Sequence, residues 1–190
     1  MKYYQLVLDH DHDDMYIGCN KAEIGEMDPY DITKGVKIDN WYLPVLRYKP
    51  SLTRELPDYL LNPHDWPVVS DRFLEVMHVL ISNQVQVLPV AVVNNFTGRK
   101  QRDYFALNIL PRPDALDYEK AVFDRFESDE DEAQEAIFID HCVIKEIMVE
   151  GYHIFRLRCS PFEILVSEEF KKHAESAKLT GLDFWEVDVS

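Results

Sequence analysis

Apolar and polar positions along the chain fall into short alternating runs broken by turn residues, with two longer helical patterns. Residues 2–8 (KYYQLVL) read as a first strand, rich in Tyr, Leu and Val. A polar stretch follows. Val36, Ile38, Trp41, Leu43 and Val45 then alternate as extended chain does. Residues 44–67 hold five of the ten prolines, which marks a long connection or a set of turns, with room for a short helical turn near 54–61. At Ser70 the period changes. Phe73, Val76, Met77, Leu80 and Ile81 recur at helical spacing behind a serine N-cap, with Asp71 in the first turn, and predict a helix over about 71–82. Residues 85–93 (VQVLPVAVV) and 104–110 (YFALNIL) flank the turn Asn94-Asn95-Phe96-Thr97-Gly98 and predict a hairpin, although Pro89 argues against a fully paired central strand.

The last third is the best-punctuated stretch. Residues 152–159 form an apolar run after Gly151, and Ser160-Pro161 turn the chain into a second run. Alternation along FRLRC directs Arg156 and Arg158 outward, with Glu163 across the turn as a candidate partner. Ser167 then caps a helix over about 168–180. Glu168 and Glu169 complement its positive end, and Phe170, Ala174 and Ala177 form its buried stripe. Gly181 reads as its left-handed cap, and 184–189 as a final strand. Strands joined by short turns, with two clear helices, predict an α+β fold on a mostly antiparallel sheet. Residues 1–190 read as a single domain, with an irregular Pro-rich part at 1–65 and a core at 66–190, and no internal repeat stands out.

Composition narrows the class. No apolar run approaches the ~20 residues that cross a bilayer, and the N-terminus lacks the apolar length and cleavage site of a signal peptide, so a cytoplasmic protein is expected. The three cysteines form no CxxC pair, which removes the usual zinc and redox signatures. The formal charge of −15 repels nucleic acid and anionic membrane and suits a basic partner.

The chemistry-bearing residues are few. His10 and His12, within Asp9-His10-Asp11-His12-Asp13-Asp14, would share one side of an extended strand and are the candidates for metal ligands of a small metal-dependent hydrolase. No second cluster supplies a further ligand, so no metal and no cofactor is expected. His141-Cys142 are adjacent and would point to opposite faces of a strand. HExxH, GxSxG, GxxxxGK[ST] and GxGxxG are all missing. No catalytic residue is therefore assigned. The acidic run Glu127, Asp129, Glu130, Asp131, Glu132 and Glu135 reads either as a solvated loop or as a surface that speeds encounter with a basic partner.

Several segments together carry a resemblance: PVVSDRFLEVM (67–77), VQVLPVAV (85–92), YFALNIL with Asp114 and Asp117 after it, and HIFRLRCSPFEILVSEEFKKHAESAKLTGLDFWEV (153–187). Ser70, Asp71 and Arg72 match a "vSdR" helix start, and Phe155, Arg156 and Leu157 an "iFRL" strand. Val166, Ser167 and Phe170 match "fVSeeF", and residues 179–182 a closing "LTGl" turn. In order and spacing, 66–188 resembles the eleventh immunity class of bacterial polymorphic toxin systems. Residues 9–65 match little, and the acidic insert departs from the pattern. The resemblance implies a non-enzymatic protein that binds a cognate toxin domain, and a basic nuclease cleft would suit its charge. Ser70, Asp71, Arg72, Ser167 and Gly181 would then be scaffold. Contact residues are expected in the poorly matching segments: Asp9, Asp11, Asp13 and Asp14, and Glu127, Asp129, Glu130, Asp131, Glu132 and Glu135. The oligomeric state is not legible.

Overall fold

The computed structural model describes residues 1–9, 15–101, 103–125 and 137–190. In chain order the strands are β1 Tyr3–Leu8, β2 Cys19–Glu23, β3 Val45–Tyr48, β4 Tyr59–Leu60, β5 Val68–Ser70, β6 Val85–Asn94 and β7 Tyr104–Ile109. They continue as β8 Val122–Arg125, β9 Ile137–His141, β10 Val143–Ile144, β11 Ile154–Arg156, β12 Ile164–Ser167 and β13 Leu182–Val189. Helix α1 (Asp71–Ile81) joins β5 to β6, and α2 (Glu168–Ser176) joins β12 to β13. The fold is α+β, with mostly antiparallel sheets ordered β2-β3-β6-β7-β5-β4 and β10-β13-β1-β12-β11, plus a β8-β9 ribbon.

The two large sheets are built the same way. Reading from β3 and from β10, the orders β3-β6-β7-β5-β4 and β10-β13-β1-β12-β11 correspond element by element, with the helix at the same place in the connectivity. The outer pair is parallel in each (β3 with β6, β10 with β13) and the other pairings are antiparallel. Registers agree as well. Tyr104 lies between Ser70 and Val90, and Tyr3 lies between Ser167 and Val187. Thus YFALNI (104–109) corresponds to YYQLVL (3–8), and VVS-DRF to LVS-EEF. The repeat escapes a linear reading because the second unit takes its central strand, β1, from the far N-terminus.

Each unit turns one sheet face toward the helices. Tyr4, Leu6, Ile154 and Val166 from one sheet and Tyr59, Val69, Leu107 and Ile109 from the other meet Phe73, Met77, Phe170 and Ala174 in one central cluster. The equivalent Phe73 and Phe170 touch, with ring centroids 6.1 Å apart. Period-2 alternation sends the intervening residues to the outer faces. There Leu60, Val68, Val90 and Tyr104 are covered by residues of the Pro-rich part such as Ile32 and Trp66. Tyr3, Phe155, Leu165 and Val187 are covered by Ala115, Leu116, Ile137 and Val149.

Local differences from expectation have physical causes. Residues 54–61 form no helical turn; β4 pairs with β5 instead. Pro89 sits inside a strand paired on both sides, yet breaks no bond. The Ala91 amide points toward β3 and donates to Pro44 O at 2.9 Å, so the Pro89 nitrogen faces the same edge at a level that β3 does not reach. Helix α1 ends at Ile81, and α2 ends at Ser176 rather than near 180. Its left-handed cap is Lys178 (φ 52), not Gly181. The Lys178 amide donates to Glu175 O and the Leu179 amide to Ala174 O, both at 3.0 Å, which is the double bond of a Schellman ending. Glycine normally takes that position, and the structure here tolerates a lysine.

Candidate functional site

The two units are tied together around one carboxylate. Asp58, just ahead of β4, is buried. Its Oδ1 accepts from the Ser70 hydroxyl at 2.6 Å, and its Oδ2 accepts from Arg72 Nη1 at 2.5 Å and the Thr180 amide at 3.1 Å. Ser70 Oγ in turn accepts from the Phe73 amide at 3.1 Å, so the cap of α1 and the ion pair are one network. Arg72 Nη2 reaches across to Ala177 O, placing a cation on the negative end of α2. The Tyr59 amide donates to Thr180 O at 3.0 Å. This close approach explains Gly181 (φ 82): a Cβ there would stand 2.5 Å from Tyr59 O and 2.6 Å from Pro57 Cβ. Asp71 accepts from the Arg72 amide at 2.9 Å and its own amide bonds Asp103 O.

The second unit repeats the arrangement with different chemistry. His153 occupies the place of Asp58, and its Nδ1 lies 2.8 Å from Ser167 Oγ, which accepts from the Phe170 amide at 3.2 Å. Glu169 Oε2 is 3.9 Å from His153 Nε2. Serine, histidine and glutamate in sequence invite a nucleophile reading. Ser167 is fully buried and spends its oxygen on the helix cap, as Ser70 does beside an aspartate that cannot act as an imidazole. The shared geometry is explained by capping.

A groove runs along the seam where β4 meets β1 and β12. It begins as a cavity of about 440 Å³ beside Asp9, Tyr16, Arg54 and Gly181. A second, of about 310 Å³, shares Leu8, Tyr59 and Leu61 with it. A third, of about 330 Å³, shares Asp65 and Phe162 with the second and ends at His64 and Arg156. Leu61, Phe162 and Tyr30 expose apolar surface along this line, and the Tyr30 and Phe162 rings meet edge-on at 6.2 Å. Arg156 does not point outward to pair with Glu163. It is 2% exposed, its Nη1 donates to Pro161 O (2.6 Å) and Phe162 O (2.8 Å), and Glu163 takes the Ser160 hydroxyl instead. Burial pushes its guanidinium down to about 10, still charged at neutral pH. Arg158 is exposed.

Of the expected contact residues, Asp9 lines the first cavity, and its amide donates to Gly181 O at 3.3 Å. Asp11, Asp13, Asp14, His10 and His12 lie outside the described residues, as do Glu127, Asp129, Glu130, Asp131, Glu132 and Glu135. Their points of attachment are placed. Ile137, after the second segment, donates its amide to Cys159 O, just beyond β11, and the antiparallel registers put that end of β11 level with the Leu8 end of β1. Asp9 and Ile137 therefore stand at the same end of the five-stranded sheet. Among the described residues no cluster of three His, Cys, Asp or Glu could hold a metal.

Residues 5–189 match the Imm11 immunity protein family. The chain belongs to this family. The match takes in the Pro-rich N-terminal part as well as the 66–188 stretch that carries the motifs. No curated protein matches the chain. The motif residues picked out in the sequence now have places: Ser70 and Arg72 in the Asp58 network, Ser167 at the second cap, Thr180 and Gly181 at the turn against β4. Sequence reasoning missed Asp58, Tyr59 and the buried state of Arg156. The strand registers pair PDYL (57–60) with YHIF (152–155), and an ungapped alignment of VVSDRF with LVSEEF misses this because the β11–β12 connection is two residues longer than the β4–β5 one. Family membership points to a non-catalytic role. No helix among the described residues is long and apolar enough to cross a membrane.

Proposed function

We propose that this Imm11 protein protects its producer by binding a cognate toxin domain one to one and blocking it, without chemistry of its own. The observation that carries the reading is the family match across residues 5–189. The formal charge of −15 supports a partner with a basic surface, which such a field attracts and orients before contact. The contact face proposed is the end of the five-stranded sheet where Asp9 and Ile137 stand. The segment carrying Asp11, Asp13 and Asp14 and the one carrying Glu127, Asp129, Glu130, Asp131, Glu132 and Glu135 both leave from there. The protein is proposed to act in the cytoplasm, where the toxin would otherwise reach its target.

Co-expression with its cognate toxin domain should rescue growth, and the two proteins should co-elute at equal stoichiometry. Replacing Asp11, Asp13 and Asp14 by Asn, or the six acidic residues of 127–135 by Asn and Gln, should weaken binding and rescue together and flatten the salt dependence of association. Rescue that persists after binding is abolished would sink the mechanism.

A further inference from the structure

The groove's far end holds an unusual charge. Arg156 is among the largest fully buried side chains of a strongly acidic protein, and its guanidinium donates through Nη1 to two carbonyls. Its Nε is buried without a partner, and among the described residues no carboxylate stands within ion-pair distance of it, Glu163 attracting it only from farther away. Arg112 belongs to the segment whose Pro111 carbonyl accepts from the Arg156 amide at 3.1 Å. That second guanidinium donates to the carbonyls of Lys34 and Arg158, and its Nε is also buried and unpartnered. A guanidinium held in a low-dielectric setting with no carboxylate within ion-pair distance is costly unless an anion joins it.

Space for that anion is present. Arg156 lines the third cavity, of about 330 Å³, together with Thr33, His64 and Asp65. The exposed rings of Tyr30 and Phe162 stand beside it. Thr33 donates its own proton to Tyr30 O at 2.8 Å, and His64 stacks on Trp66 with centroids 5.2 Å apart, leaving an imidazole at the cavity wall. Asp65 is the opposing charge. It is exposed, so water screens it, and Glu163 is engaged with Ser160.

We propose that this cavity is an oxyanion site, taking a carboxylate or phosphate group against the Arg156 guanidinium with the aromatic pair at its mouth. The site rests on different observations from the acidic contact face proposed above and selects the opposite charge.

The test follows arginine side-chain N–H signals of the full-length protein by ¹H–¹⁵N NMR. Sodium acetate and inorganic phosphate are titrated separately at constant ionic strength held with sodium chloride. One arginine Nε–H signal, missing from Arg156→Lys, should move saturably with acetate, phosphate or both; the anion that moves it further names the ligand group. Because Arg156→Lys changes a buried side chain and could fail to fold, Phe162→Glu serves as the second variant. It alters only the exposed rim and should weaken the same anion's binding at least threefold. No saturable shift with either anion would overturn the site. So would an equal shift in chloride alone, or unchanged affinity in Phe162→Glu.

Discussion

Replacing Asp58 by Ala tests whether one buried carboxylate holds the two units together. The side chain is 2% exposed and accepts from Ser70, Arg72 and the Thr180 amide, with the Thr180 hydroxyl also 3.2 Å from Oδ2. Breaking a buried ion pair from one side costs about 3–5 kcal/mol when the orphaned charge stays dry. Arg72 is 43% exposed and can rehydrate, which removes much of that term. The buried Ser70 hydroxyl and Thr180 amide then remain, at about 1 kcal/mol or more each. The expected loss is roughly 3 kcal/mol, or a fall of about 6–12 °C in melting temperature for a chain of this size. Urea unfolding would measure it. A cycle with Arg72→Ala should give a coupling of about 1–2 kcal/mol, since the two share one network. The whole transition should shift as one step, because residues from Tyr4 to Leu179 share the central cluster; this also tests the proposal that 1–190 is a single domain. A loss under 1 kcal/mol, or a coupling near zero, would refute the network as the tie between units.

Gly181→Ala should lose about 2–3 kcal/mol by thermal melting, because the new methyl group enters both a positive-φ position and the 2.5 Å approach to Tyr59 O; a loss below 0.5 kcal/mol would show that the turn can move away. On the alkaline side, burial raises the thiols of Cys19 and Cys142 from 9.0 and the Tyr59 hydroxyl from 10.0, each to about 12. The unfolded chain ionises these groups first, so their stabilisation is complete below pH 9 and is lost as pH climbs toward 12. The urea midpoint should therefore fall between pH 9 and 11, and a midpoint flat over that window would contradict their burial.

Fold class was legible because capping and periodicity are local. Ser70 and Ser167 announce their helices through the hydroxyl each offers to an amide three residues on, and no distant residue is needed to see it. What failed was non-local. Arg156 alternates correctly with its neighbours for an exposed position, yet it is buried beside two distant segments, one holding Pro29 and Tyr30 and the other His64. Period 2 fixes which sheet face a side chain takes, not whether another segment covers that face. Lys178 took the helix ending from Gly181 for a similar reason. Gly181 is required by the strand 57–59 packed against it, a contact 122 residues distant at Thr180–Asp58. Asp58 itself lay in a Pro-rich stretch with no periodic signal.

The duplicated architecture separates scaffold from free surface. Equivalent positions in the two units that keep their residue type, Tyr3 with Tyr104, Ser70 with Ser167, Phe73 with Phe170 and Leu6 with Leu107, are buried in the clusters or in the caps. They answer a packing requirement that both units share. Positions that differ mark what each unit does alone: Asp58 against His153, and Leu61, the next residue after β4, against Arg156 at the end of β11. Leu61 and Arg156 line the groove at the seam, near which the acidic segments attach. A binding function needs such a place. Two similar units packed through a common core leave one asymmetric line between them, and that line can acquire a partner's shape and charge without disturbing the caps and aromatic pairs that hold the fold.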